Sequence, residues 1–150
     1  MSRKVSIKSA IGVMLFMAIA LTGCGGLKAP TTDMDRLQGA WTGKSINDGS
    51  QWAMVIIGNT MECQGPGQQS YGGTIILDET TVPKSGVLTI TKCAAEQYVG
   101  KKANYIYKFE DGKLVMAGTE PGSGTKPTGF TGDNGVVAIE FTKMVDKSKK

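Results

Sequence analysis

Apolar and polar residues alternate in short runs through most of the chain after residue 36, and turn-forming residues separate the runs. In the run 87–93, Leu88 and Ile90 alternate with threonines, which is typical of a strand with one buried face. No run in this part of the chain has the 3.6-residue period of a helix. The pattern predicts eight strands, at residues 38–46, 51–57, 60–64, 71–77, 87–93, 103–110, 113–117 and 136–144. Residues 94–100 are predicted to lie between strands, with one helical turn.

The turns between these strands indicate how the strands are arranged. Asn47-Asp48-Gly49 and Asp111-Gly112 are typical of tight hairpins between antiparallel strands. Strands that are half polar do not fit a parallel sheet buried on both faces. We therefore expect an all-β antiparallel sandwich or barrel, and a closed barrel has the advantage of leaving no exposed sheet edge.

A different pattern occupies the N-terminal residues. Basic Arg3, Lys4 and Lys8 precede an apolar run at 11–21, which predicts a secretory signal peptide. The alternative is a transmembrane helix, but eleven residues fall well short of the roughly 20 that span a bilayer.

The apolar run ends in Leu21-Thr22-Gly23-Cys24, which resembles the lipobox of bacterial lipoproteins. The resemblance implies that the signal, residues 1–23, is cleaved and that Cys24 is lipidated, with palmitate among the acyl chains, so that the protein is held at the membrane of the cell envelope. Gly25 stands where that family carries aspartate in inner-membrane proteins, so the outer membrane is the expected location. Residues 24–35 are then predicted to be a flexible tether, residues 36–145 the folded domain, and residues 146–150 a basic tail.

The same resemblance changes the interpretation of cysteines and charge. With Cys24 lipidated, Cys63 and Cys93 are the remaining thiols, and export favours a disulfide between them. A metal or redox pair is the alternative, although two thiols 30 positions apart do not have the spacing of a ligand motif. The formal net charge of +4 also falls to about +1, because three of the 17 basic residues lie in the signal and all 13 acidic residues lie after it. Nucleic acid is therefore not an expected partner.

The folded part opens with Gly39-Ala40-Trp41, which resembles the Gly-x-Trp first strand of lipocalins. The chain also resembles the small lipocalin-like domains of planctomycete-type bacterial genomes. The similarity consists of short sequence segments that follow one another in the same order, from Ile57-Gly58-Asn59 to Phe141-Thr142-Lys143. The resemblance implies an eight-stranded barrel whose last strand places a basic residue over the first tryptophan, here Lys143 over Trp41. Lysine keeps the cation–π contact without the planar stacking that arginine provides.

Residues that could perform chemistry are scarce. The chain has no histidine, so triads that use histidine as a base are excluded, and we expect neither an enzyme nor a cofactor. Aromatic residues are the main candidates for a ligand pocket, or for the core that fills the barrel: Trp41, Trp52, Tyr105, Tyr107, Phe109 and Phe130.

Two hypotheses for function follow. The first is a membrane-anchored binding protein that holds a small apolar ligand in the barrel or contacts an envelope partner. The second is a structural or inhibitory interaction module with a filled barrel and a working surface in loops 64–72 and 118–134. An interior cavity of several hundred cubic ångströms would favour the first hypothesis.

Overall fold

The computed structural model describes residues 32–145, which form one short helix followed by eight strands. The helix α1 spans Asp33–Leu37. The strands are β1 (Gly39–Ser45), β2 (Gln51–Ile57), β3 (Thr60–Gln64), β4 (Ser70–Asp78), β5 (Lys84–Cys93), β6 (Lys102–Glu110), β7 (Lys113–Gly118) and β8 (Val137–Lys143). The predicted signal, the lipobox with Cys24, the tether up to residue 31 and the basic tail 146–150 lie outside the described residues.

The strands form a closed barrel with the simplest connectivity. Each strand pairs antiparallel with the next along the chain, and β8 pairs with β1 to complete the circle. The predicted all-β, eight-stranded, lipocalin-like barrel is confirmed. The strand limits agree with the prediction within a few residues, and the helical turn expected in 94–100 is a 3-10 turn at Glu96–Tyr98.

Alternation along the strands places one face in the barrel interior. On β6, the side chains of Ala103, Tyr105 and Tyr107 point inward and are at most 8% exposed. The first two strands contribute Trp41, Trp52 and further apolar residues to the same core. The period of two that predicted the strands is therefore the period of burial.

The wall between β4 and β5 carries a local irregularity. The register shifts at Gly72/Gly73, which is where a bulge increases the twist of the sheet. A Cβ atom at Gly73 would lie 2.0 Å from the carbonyl oxygen of Thr89, so no larger residue fits there without moving the backbone.

The long segment between β7 and β8 covers the outside of the barrel. Phe130 and Val136 pack against Ile106, Ala117 and Ala138 on the outer face of β6 to β8. The side chain of Asn47, which follows β1, also holds this segment. Its Oδ1 accepts a hydrogen bond from the Ala138 N–H at 3.2 Å, and its amide donates a hydrogen bond to the carbonyl oxygen of Gly132. The Gly/Pro-rich stretch around residues 119–136 is thus fastened to the barrel by a small second core.

Helix α1 corrects the predicted tether, which was expected to reach residue 35. Thr32 and Asp35 form a capping box, in which the Thr32 hydroxyl accepts the Asp35 N–H at 3.1 Å and the Asp35 carboxylate accepts the Thr32 N–H at 3.1 Å. This box starts the helix, and Leu37 then anchors it with only 1% of its surface exposed. Within residues 32–145, no helix has the length and apolar character needed to cross a membrane.

Candidate ligand-binding cavity

The two ends of the barrel differ, and α1 closes one of them. Leu37 is buried among the core side chains at this end. The indole N–H of Trp41 donates to the carbonyl oxygen of Leu37 at 2.8 Å, which ties the end of the helix to β1. The last carbonyls of a helix need such partners, and here a side chain of the first strand supplies one.

A buried carboxylate fixes the helix from the other side. Asp33 is 4% exposed, and its carboxylate accepts hydrogen bonds from Lys84 Nζ at 2.6 Å, the Tyr107 hydroxyl at 3.1 Å and Arg36 Nη1 at 3.3 Å. Burial raises the pKa of Asp33, but the hydrogen bonds from Lys84 and Tyr107 and the charge of Lys84 outweigh it, so the net pKa lies below its ordinary value. Asp33 is therefore ionised at neutral pH and joins α1 to β5 and β6.

The predicted contact between Trp41 and Lys143 is present at the same end. Lys143 Nζ lies 5.2 Å from the centre of a Trp41 ring and donates to the carbonyl oxygen of Arg36 at 3.0 Å. The Arg36 guanidinium itself lies 3.7 Å from the centre of the Phe109 ring. Two cation–π contacts thus join α1, β1, β6 and β8 where the barrel closes.

The opposite half of the barrel holds a cavity of about 450 Å3. Its volume lies within the range of sites that take small molecules. Its interior lining is almost entirely apolar or aromatic and consists of Trp52, Met54, Met61, Cys63, Tyr71, Leu88, Ile90, Ala103, Tyr105, Met116, Ile139 and Phe141. Its mouth is formed by the ends of the strands and by the turns at 94–98 and 119–121.

Sulfur-containing side chains form part of this lining. Met54, Met61 and Met116 line the cavity together with Cys63 and Cys93. Methionine is flexible and polarizable, so a wall of this kind adapts to apolar molecules of different shape. Burial raises the pKa of the Cys63 thiol to about 11, which keeps it neutral and apolar in character at pH 7.

Polar groups are few and lie mostly at the mouth. Glu120 is the charged residue of the lining, and its carboxylate accepts a hydrogen bond from the Tyr98 hydroxyl. Asn104 directs its side-chain amide to the carbonyl of Thr125 at 2.9 Å. Tyr105 also lines the cavity, but its hydroxyl lies over Gly86 in the wall of the barrel, where it is buried and has no hydrogen-bond partner among the described side chains.

The predicted disulfide between Cys63 and Cys93 is wrong. Both are free thiols, Cys63 buried and Cys93 half-buried. The strand register explains why, because Cys63 pairs with Tyr71 on β4 and Tyr71 pairs in turn with Cys93 on β5. Two strand spacings put the cysteine Cα atoms roughly 10 Å apart, beyond the separation of about 7 Å that a disulfide can bridge.

The six predicted aromatic residues fall into three places. Trp52 and Tyr105 line the cavity. Three others, Trp41, Tyr107 and Phe109, belong to the core towards the closed end. Phe130 does not lie in the interior at all, because it packs on the outer face under the 119–136 segment, where Lys108 Nζ lies 5.2 Å from its ring centre.

The sequence interpretation missed most of the cavity wall. The methionines carry no signal of their own, since in a strand pattern they count simply as apolar positions.

Within the described part of the chain, no three histidine, cysteine, aspartate or glutamate side chains come together as a group that could hold a metal ion. Comparisons with protein-family models, with curated proteins and with solved structures find no match to this chain.

Proposed function

We propose that this protein is a membrane-anchored lipoprotein of the bacterial cell envelope whose barrel binds one small apolar molecule. The observation that carries the proposal is the apolar cavity of about 450 Å3 at the open end of the barrel. A domain that served only as a rigid scaffold would gain stability from filling this space, because each unfilled methyl-sized volume costs about 1 kcal/mol. The cavity therefore favours a binding role over the alternative of a solid interaction module.

One of the two loops expected to form the surface of such a module, 118–134, gives it little support. Much of the 119–136 segment is held against the barrel by Phe130, Val136 and the Asn47 hydrogen bonds. A binding role rather than a catalytic one also fits the absence of histidine from the sequence and the neutral state of Cys63 at pH 7.

The proposed anchor is supported by the basic start, the apolar run 11–21 and the lipobox that ends at Cys24. The described chain begins at Thr32 beside α1, and β8 ends at the same side of the barrel, where Lys143 contacts Arg36. The described chain thus enters the barrel at the closed end, and the cavity mouth lies at the opposite end. With Gly25 after the cysteine, the outer membrane is the proposed location in a cell that has one.

Metabolic labelling tests the anchor. Cells that express the full chain are grown with an alkyne analogue of palmitate, and the protein is then examined for incorporated label. Label should appear in the wild type and disappear in Cys24→Ala, while Cys93→Ala should be labelled like the wild type. An unlabelled wild-type protein would remove the anchor from the proposal.

A pair of phenylalanine substitutions tests the binding role. Ala103 faces the cavity and is 8% exposed, so Ala103→Phe places a ring in the space a ligand would use. Ala53 is an exposed residue of β2, so Ala53→Phe adds the same ring outside the barrel. The wild type and Ala53→Phe should enhance the fluorescence of 1-aminoanthracene with a stoichiometry of one, and Ala103→Phe should not. Equal enhancement by all three proteins would contradict binding inside the barrel.

A further inference from the structure

The lining of the cavity carries a single charged side chain, and that side chain lies at the mouth. Glu120 is this residue, and no lysine or arginine is among the described residues that line the cavity. Glu120 takes part in none of the ion pairs of residues 32–145. Lys101 lies near the same turn, since its Nζ is 3.4 Å from the position that a Cβ atom of Gly122 would occupy, but it forms no ion pair with Glu120. Within this part of the chain, the charge of Glu120 is therefore left without a counterion in contact with it.

The carboxylate of Glu120 is held at the rim of the mouth by its neighbours. Its Oε1 atom accepts a hydrogen bond from the hydroxyl of Tyr98, which also lines the cavity. This bond joins the two turns that form the mouth. The turn that carries Glu120 is fixed to β6, because the N–H of Thr119 donates to the carbonyl oxygen of Asn104 at 3.1 Å. The carboxylate thus has a defined place beside the opening, and Glu120 is exposed to solvent there.

A second cavity adjoins the mouth at Glu120. It has a volume of about 550 Å3 and is lined by residues of the segment between β7 and β8. Thr119, Glu120 and Gly135 line both cavities. The other residues of the second lining are mostly polar and are Ser123, Thr125, Lys126, Pro127, Thr128, Gly129, Thr131, Asp133, Asn134 and Val136. The two linings together hold two carboxylates and one ammonium group, a net charge of −1, so a molecule that leaves the apolar interior at Glu120 meets polar and weakly negative surroundings.

We infer that the cavity takes a molecule with an apolar body and a cationic, amine-type end, and that the cation pairs with Glu120 at the mouth. This inference rests on the proposed binding function and specifies the class of ligand. The apolar body fills the interior, where the burial of hydrocarbon is favourable. The ammonium group stays at the mouth, where it gains the attraction of the carboxylate without being fully removed from water.

The charge at the mouth also selects against other ligand ends. An anionic end would lie next to Glu120 and would find no lysine or arginine in the described lining of the apolar cavity. It could not move deeper, because a charge buried among apolar side chains without a partner is costly. A neutral end meets no such obstacle, but it leaves the carboxylate without a counterion. A cleft with apolar walls and one sign of charge concentrates ions of the opposite sign, so a cationic end is preferred.

The test uses three probes that share a naphthalene ring and differ in the charge at the end of a short side chain. They are 2-(1-naphthyl)ethylamine, which is a cation at pH 7, the neutral 2-(1-naphthyl)ethanol and the anion 1-naphthylacetate. Their dissociation constants are measured at pH 7 by equilibrium dialysis with the full chain in phosphatidylcholine nanodiscs, and partition into empty nanodiscs is subtracted. The proteins are the wild type, Glu120→Gln and the control Glu96→Gln. Glu96 is an exposed carboxylate in the same 3-10 turn as Tyr98, but it does not line the cavity.

At low salt the wild type should bind the amine about fivefold more tightly than the alcohol, since one exposed ion pair distinguishes them, and it should bind naphthylacetate most weakly. Glu120→Gln should bind the amine and the alcohol alike, with the affinity for the alcohol unchanged. Glu96→Gln should keep the preference of the wild type. Raising the salt to about 1 M should remove most of that preference, because the Debye length falls to about 3 Å.

Equal affinities of the wild type for the amine and the alcohol at low salt would overturn the inference while leaving the binding function standing. A preference for the amine that is unchanged in Glu120→Gln, or lost equally in Glu96→Gln, would also overturn it, because the charge responsible would not be that of Glu120. Failure of the wild type to bind any of the three probes would overturn the inference together with the proposed function. The comparison of the wild type at low and high salt decides the matter even if Glu120→Gln does not fold.

Discussion

Replacing Asp33 by alanine should lower the free energy of unfolding more than the loss of an exposed ion pair would, because it weakens the closed end of the barrel. Asp33 is 4% exposed and is the shared acceptor for Tyr107, Lys84 and Arg36. The helix that carries it has only five residues, so its docking depends on such tertiary contacts rather than on helix propensity.

The magnitude follows from the exposure of each partner. Tyr107 is 1% exposed, so removing its acceptor leaves a buried hydroxyl unsatisfied, at a cost of about 1–3 kcal/mol. The side chains of Lys84 and Arg36 are 40% and 44% exposed and can return to water, so each pair contributes on the order of 0.5 kcal/mol. Asp33→Ala should therefore lower the free energy of unfolding by about 3 kcal/mol and the Tm by roughly 10 °C.

The assay is urea unfolding in a double-mutant cycle of Asp33→Ala and Tyr107→Phe. If the hydroxyl matters through its bond to Asp33, the double variant should be at least as stable as Asp33→Ala alone, because Tyr107→Phe removes the unsatisfied hydroxyl, and the coupling should be at least about 1 kcal/mol. Glu140→Ala is the matched control, because it breaks a contact of the same 2.6 Å length to Lys113 between half-exposed side chains, and it should change stability little. Strictly additive effects of Asp33→Ala and Tyr107→Phe would refute this reasoning.

The pH dependence of stability gives an independent measure of the contribution of Asp33. The folded-state pKa of Asp33 lies below its ordinary value of 3.8, so its contribution to stability is fully present above the unfolded pKa and is lost as the pH falls through the folded value. The difference in unfolding free energy between the wild type and Asp33→Ala should be constant from about pH 5 to 7 and shrink below that range. A difference that grows towards low pH would contradict the assignment.

Two further predictions concern the thiols and the last strand. Because burial raises the pKa of Cys63 to about 11, iodoacetamide at pH 8 should modify Cys63 far more slowly in the native protein than in the unfolded chain. When the protein is unfolded and alkylated without reductant, its intact mass should show that both Cys63 and Cys93 are labelled. A mass two daltons short of the thiol form, with neither residue labelled, would show a disulfide after all. Lys143→Ala should cost about 1 kcal/mol in urea unfolding because it removes the contact with Trp41 and the bond to the Arg36 carbonyl, whereas Lys143→Arg should be near neutral. Equal stability of Lys143→Ala and the wild type would mean that the closing contact contributes nothing.

Most of the barrel was predictable because its strands alternate in sequence as they do in burial. On β2 and β3, for example, Trp52, Met54, Ile56, Met61 and Cys63 are buried and alternate with more exposed residues. Helix α1 escaped prediction because Met34 and Leu37 are its only apolar residues, too few to give a helical period. The capping pair Thr32 and Asp35 was the one local signal that could have indicated it.

The cavity and the state of the cysteines depend on information that spacing along the chain does not carry. The pairing of Cys63 and Cys93 with Tyr71 follows from strand register, which sets neighbours across the sheet. The cavity exists because small residues such as Ala103 and Gly118 line one half of the barrel, while the rings of Trp41, Tyr107 and Phe109 fill the other. Phe130 is a large aromatic residue of the kind expected in the core. It packs on the outer face of the barrel because the long segment between β7 and β8 runs there.

Native mass spectrometry of the full chain, purified from the membrane of its own cells, tests the binding function most directly. The wild type and Ala53→Phe should retain one small, largely apolar molecule per chain, and Ala103→Phe should appear without it. A wild-type protein that is consistently found bare, or an adduct that persists unchanged in Ala103→Phe, would contradict a ligand in the barrel.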